Sequence, residues 1–319
     1  MAKGMHIGIG GAARKVKKAY IGINGTARKV KKIYLGIGGV ARLAWQGTVP
    51  AGQVIFTSSQ VWTVPEGVSF INIFAVGGGQ SGGTYGNWSG GDSGGANGGC
   101  SGRTITNKNV AVIPGSSVSI VIGAGGVPYT RAEGSWNRGR VGGQSSVTVN
   151  GNTYMTPVIE LLPYPTSLYQ GGSGGGAGAM RPSSYGSFNA DGCAGGTDGS
   201  DGVGTAGLPT NRSDLGQGSI TRAFGESENT LYAGGGGGGN SLTQVDFYPV
   251  GGAGGAGGGG RGGEAASNIL AGIMAQPGTP NTGGGGGGAT SGLYTSFGNA
   301  GCVGASGGSG IVIVRWAEQ

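Results

Sequence analysis

The side chains suited to acid–base, nucleophilic or metal chemistry are sparse in this chain, and their spacing limits what they can do. His6 is the only histidine, so neither a Ser-His-Asp triad nor a histidine metal cluster can be assembled. Cys100, Cys193 and Cys302 stand far apart without CxxC spacing, each in a glycine-rich context. That pattern supports neither a disulfide framework nor a zinc site, and the three read as small buried residues. Asp191, Asp198 and Asp201 each precede a glycine. Asp-Gly pairs form turns; the alternative, a Ca²⁺ loop, lacks the bidentate glutamate of an EF-hand. No Walker-type lysine follows the glycine runs. GxGxxG matches are inevitable when 82 of 319 residues are glycine. The expectation is a non-enzymatic protein with no cofactor and no metal.

Recognition chemistry is better represented. Tyr85, Trp88, Trp136, Tyr185, Phe188, Phe247, Tyr248, Tyr294 and Phe297 lie in polar, glycine-rich stretches. Exposed on connections, such rings stack on sugars or fill protein pockets; turned inward, they would cap a glycine bundle as a small core. Arg14, Lys15, Lys17 and Lys18 recur as Arg28, Lys29, Lys31 and Lys32. Residues 1–46 carry ten Lys or Arg and no acidic group, and the remaining 273 carry ten basic and thirteen acidic groups, a net of −3. The pI of 9.4 therefore belongs to a short segment. Such a segment suits docking to an acidic partner subunit; nucleic acid is the less favoured partner, because the basic repeats lack interleaved aromatics apart from Tyr20 and Tyr34.

The elements that would position these groups are mainly β. Ile7-Gly8-Ile9-Gly10-Gly11 returns as Ile21-Gly22-Ile23-Asn24-Gly25 and as Leu35-Gly36-Ile37-Gly38-Gly39, each followed by Ala-Arg, a period of 14 residues. Asn24-Gly25 and Gly10-Gly11 are hairpin signals, so residues 1–47 read as three β-hairpins in series, with a helix over 12–20 as the alternative. Such hairpins cannot bury a core alone. Strands are expected at 54–57, 61–64, 70–76, 103–106, 110–113, 118–122, 146–149 and 311–316, with turns at Pro114-Gly115 and Asn150-Gly151. They suggest an antiparallel sandwich from 48–170 and 306–319, interrupted by a glycine-rich insertion at 171–305. So much glycine usually signals disorder. Here only 10% of residues are charged and strands bracket the runs. An ordered tract is expected to be a bundle of polyglycine-II helices, whose close approach lets neighbouring backbones hydrogen-bond. No 18-residue apolar run or signal peptide is visible.

Three blocks resemble a known family in order. Val61-Trp62-Thr63-Val64-Pro65-Glu66-Gly67-Val68 precedes a strand and a glycine run; Pro114-Gly115 leads to 118–126; and Gly307-Gly308-Ser309-Gly310 opens the closing strand 311–315. Together they resemble the glycine-rich domains of bacteriophage tail fibres and adhesin-like receptor-binding proteins. The N-terminal repeat resembles short repeats in structural proteins of phages of Gram-positive hosts. The resemblance implies a virion tail protein made in the host cytoplasm, trimeric by analogy. It would bind a glycan or protein receptor on the host surface and join other tail or baseplate subunits through its N-terminal repeats, without entering a membrane. A purely structural virion component, or a basic nucleic-acid-binding protein with a disordered tail, remain the alternatives.

Overall fold

The computed structural model describes residues 5–9, 11–85, 95–130, 136–162, 168–179, 191–204, 213–242, 250–264, 273–292 and 303–319. Each 14-residue repeat is an antiparallel hairpin: β1 (His6–Ile9) with β2 (Ala12–Lys15), β3 (Ala19–Ile23) with β4 (Thr26–Val30), and β5 (Lys32–Ile37) with β6 (Val40–Gln46). Asn24 and Gly25 have φ of 50° and 75°, and Gly38 and Gly39 have 62° and 78°. Two successive positive φ values match the right-handed twist of the paired strands, which favours strand over helix at 12–20. The hairpins share a base. Trp45 is 2% exposed there, and its Nε1–H donates to the Val16 carbonyl at 2.9 Å. Gly47 N–H donates to Lys31 O at 3.0 Å. One tryptophan thus supplies a small core that the hairpins individually lack.

The sandwich follows. The strands after the hairpins, in chain order, are β7 (Gly52–Phe56), β8 (Gln60–Thr63), β9 (Phe70–Val76), a short β10 (Thr84–Tyr85), β11 (Thr104–Ala111), β12 (Ser117–Val121), a short β13 (Trp136–Asn137) that pairs with β10 apart from the sandwich, β14 (Ser146–Val149) and β15 (Asn152–Met155). After them come β16 (Glu160–Leu161), β17 (Tyr169–Gln170), β18 (Ser241–Leu242), β19 (Ser291–Gly292) and β20 (Ile311–Trp316). One sheet has the order β11-β9-β20-β7 and the other β15-β14-β12-β8. Alternation divides β9 and β20 between two cores. Ile71, Ile73, Ala75, Val312 and Val314 face the second sheet with Val118, Ile120, Val147 and Val149. Phe74, Val76, Ile311 and Ile313 face Phe224, Tyr232 and Ala233. Burial on both faces explains why these strands read as near-continuous apolar runs, broken only at Asn72 and Arg315. The strands expected at 103–106 and 110–113 are one strand with a bulge between Asn107 and Val110. Asn109 there has a φ of 56°, and its N–H donates to Asn72 Oδ1 at 2.8 Å.

Glycine segments build an ordered array at one end of the sandwich, where β9 and β12 end and β11, β14 and β20 begin. The segment 234–240 is buried throughout. The N–H groups of Gly234, Gly237 and Asn240 donate to Gly257, Gly260 and Gly263; those of Gly235 and Gly238 to Gly196 and Cys193; those of Gly236 and Gly239 to Gly99 and Ala96. Its carbonyls accept from Gly285 and Gly288, from Gly255 and Gly252, and from Gly176 and Ala179. These bonds are 2.7–3.2 Å long. The partner therefore changes at every residue and returns every third, so one segment touches six neighbours. Segment 283–290, also buried, repeats the pattern with Gly234 and Gly237, Gln80 and Gly83, Gln276, Gly260 and Gly263, Gly99 and Ala96, and Gly308 and Ala305. Glycine is required because a Cβ on Gly237 or Gly287 would overlap the carbonyls of Gly252 or Arg261. The array takes in 77–83, 95–102, 123–126 and 139–143 as well as segments after residue 171. At the opposite end of the sandwich, Val49 and Gln319 exchange backbone bonds of 2.7 and 3.0 Å beside the hairpins.

Candidate functional site

The array ends in one plane, away from the sandwich. Gly95 donates to Ala179, Ala179 to Gly239, Gly239 to Ala96, Ala96 to Ala289, and Ala289 to Gly83. This chain of bonds sets five segments at one level. Asn240 and Thr290 are buried just beyond it, with Thr290 Oγ1 donating to Asn240, and β18 pairs with β19 in parallel. Nearby, Thr84 Oγ1 donates to the Tyr129 carbonyl at 2.9 Å, and the Arg140 guanidinium lies 4.2 Å from the Tyr129 ring centroid. Tyr85 and Trp136 oppose each other in β10–β13. Those two candidate aromatics, 51 residues apart in sequence, are thus brought together at this end. Trp88, Tyr185, Phe188, Phe247, Tyr248, Tyr294 and Phe297 lie outside the described residues. Each falls in a stretch whose flanking residues end at this level. Tyr129, Arg140, Asn240 and Thr290 were not singled out from sequence, because nothing in their local pattern separates them from ordinary loop residues.

A buried polar cluster lies inside the array. Asp214 is 1% exposed; its Oδ1 accepts the Tyr169 N–H at 2.9 Å and lies 3.6 Å from Arg138 Nη1. Among the described residues its Oδ2 has no hydrogen-bond partner. Burial raises its pKa from 3.8 to about 6, opposed by the Tyr169 bond and the Arg138 charge. Burial also pushes the Cys100 thiol well above its usual range, reinforced by Asp214. A thiol so placed resists forming the thiolate that nucleophilic or redox chemistry requires. Cys193 is half-buried, and Cys302 lies outside the described residues. Asp191, Asp198 and Asp201, each before a glycine, clamp neighbouring backbone. Asp191 Oδ1 accepts from Val250 N–H, Asp198 Oδ1 from Thr221 N–H and Asp201 Oδ1 from Gly216 N–H. Asp198, with a φ of 53°, also pairs with Arg222 at 3.1 Å.

The basic residues sit at the other end of the molecule. Arg14 and Arg28 occupy equivalent positions opposite Ile7 and Ile21, and Arg42 stands opposite Leu35. Arg14, Lys17, Lys18, Arg28, Lys29 and Lys31 are exposed. Lys15 lies in β2. Lys32 pairs with Glu66 at 3.0 Å, which ties the hairpins to the sandwich and raises the lysine's pKa. A cleft of about 480 Å³ runs between 29–32 and 47–50 beside Glu66. Among the described residues no helix is long and apolar enough to cross a membrane.

A family model described as a glycine-rich domain matches residues 55–317. That span takes in both sheets and the array and leaves the hairpins outside. A search of curated proteins found no match.

Proposed function

The chain belongs to the glycine-rich domain family, and from that premise we propose that it is a phage or phage-like tail fibre or tip protein that binds the host cell surface without catalysis. The observation that carries this reading is its polarity. Basic hairpins occupy one end, a sandwich the middle, and a hydrogen-bonded glycine array the other end, where the described residues that flank the aromatic-bearing stretches lie. In this reading the segments are polyglycine-II helices, with three residues per turn and no internal hydrogen bonds. The backbone groups of 234–239 bond sideways to neighbouring segments, which makes a stiff block from residues that are otherwise the most flexible. Stiffness matters because connections held at both ends lose less freedom when they bind.

The array is then scaffold and the connections are the site. Tyr85, Trp88, Trp136, Tyr185, Phe188, Phe247, Tyr248, Tyr294 and Phe297 would supply rings for stacking on sugars or filling protein pockets. The hairpins would attach the protein to tail or baseplate subunits, and a homotrimer in the virion tail is the expected assembly. The test is adsorption blockade. Purified protein should protect host cells from the phage, and the triple variant Trp88→Ala, Trp136→Ala and Tyr248→Ala should lose most of that protection while keeping its melting temperature. Full protection by the variant would refute the assignment of these residues. No protection by the unaltered protein would favour a purely structural virion role.

A further inference from the structure

The three hairpins carry a feature that their charge alone does not explain. Directly opposed residues of an antiparallel pair share a face. Ile7 pairs with Arg14, Ile21 with Arg28, and Leu35 with Arg42. Two residues along, on the same face, Ile23 pairs with Thr26 and Ile37 with Val40. Each hairpin thus offers an aliphatic side chain opposite one arginine on one face at the same register, and the second and third hairpins add Ile23 and the Ile37–Val40 pair on that face. These aliphatics are not core: Ile7, Ile21, Leu35, Ile37 and Val40 are 53–58% exposed and Ile23 is 44% exposed. Single exposed aliphatics are ordinary; the same exposed pattern three times in succession marks an interaction surface.

Three properties narrow the occupant. Residues 1–46 hold ten cations and no anion, so copies of these faces repel one another and a second copy of the chain is a poor fit. A nucleic acid would satisfy the cations and leave the aliphatics in water. Each sheet has only two strands among the described residues, so its outer edges remain open to another strand. We propose that the hairpins are three equivalent docking units for a protein segment that presents carboxylates beside aliphatic side chains, one segment per hairpin. This rests on the attachment role given above to the hairpins and is independent of what the array's far end binds.

Titration calorimetry of the full chain tests it with three probes: a short peptide of alternating valine and glutamate, its serine–glutamate counterpart, and a short DNA duplex. The valine peptide should bind at about three per chain, and at least about tenfold more tightly than the serine peptide or the DNA. Replacing Ile21→Ser and Ile23→Ser together should lower the number bound to about two, and Arg28→Gln should weaken one site and flatten its salt dependence. All three positions are exposed, so an unchanged melting temperature certifies the fold. Equal binding of the serine peptide or DNA would make the surface a simple polycation and overturn the proposal. Absent binding of the valine peptide, or one peptide per chain, would also overturn it. Loss of peptide binding with adsorption blockade intact sinks this inference alone; the reverse sinks the receptor assignment alone.

Discussion

Adding one methyl group to the centre of the array should be far more damaging than adding one to a hairpin. Gly237 is buried; its N–H donates to Gly260 and its carbonyl accepts from Gly288, both at 2.9 Å. A Cβ there would overlap the carbonyl groups of Gly252 and Ala253. The segment that must retreat is held by the Gly252 to Gly238 and Gly255 to Gly235 bonds, at 2.8 and 2.7 Å. Stranding these buried groups costs about 1–3 kcal/mol each, so losing the pair gives Gly237→Ala a penalty of roughly 2–6 kcal/mol. At about 2–4 °C per kcal/mol that lowers the melting temperature by roughly 4–24 °C. Gly22 has nothing within 4 Å of its Cβ position and lies in an exposed strand. Gly22→Ala should therefore stay within about 0.5 kcal/mol of the unaltered protein. Thermal unfolding followed by circular dichroism compares the two directly. Equal melting temperatures for both variants would refute the reasoning.

Trp45→Ala should cost about 3–5 kcal/mol at the hairpin base and loosen the backbone there, so that trypsin cuts faster at the already exposed Lys17 and Lys31; an unchanged digestion pattern would remove Trp45 from that role. Asp214 makes stability depend on pH. Its folded pKa of about 6 exceeds the ordinary 3.8, so the folded state holds its proton more tightly than the unfolded state. The associated stability is complete below about pH 4 and is lost as pH rises through about 6, up to about 3 kcal/mol. Arg138, Tyr169 and Cys100 are the titratable or charged groups around it. Asp214→Asn should flatten denaturation midpoints measured between about pH 4 and pH 8; an unchanged profile would exonerate the carboxyl.

Much of the framework is legible in the residues themselves. The 14-residue period and the Asn24-Gly25 turn specify hairpins because few other turns reverse a strand in two residues. The apolar runs at 70–76 and 311–316 mark the doubly buried strands. The bulge at Asn109 was harder to foresee, since a polar triplet between apolar runs reads as a loop. The array is legible only as composition. Short runs such as Gly77-Gly78-Gly79 look like turns, and glycine carries no side chain to say which segment lies beside which. The neighbours are chosen by hydrogen-bond register, which needs the whole set in place. The Asp214–Arg138 contact spans 76 residues of sequence, and the Tyr85–Trp136 pairing spans 51 residues that include β11 and β12. Neither leaves a local pattern.

Amide hydrogen exchange resolved along the chain tests the central claim most directly, that the glycine segments form an ordered scaffold held by lateral hydrogen bonds. The account predicts that amides of 234–240 and 283–290 exchange only through global unfolding, as slowly as those of β9 and β20, while amides near the exposed hairpin tips exchange early. Rapid, unprotected exchange across 234–240 and 283–290 under conditions where β9 and β20 stay protected would contradict it.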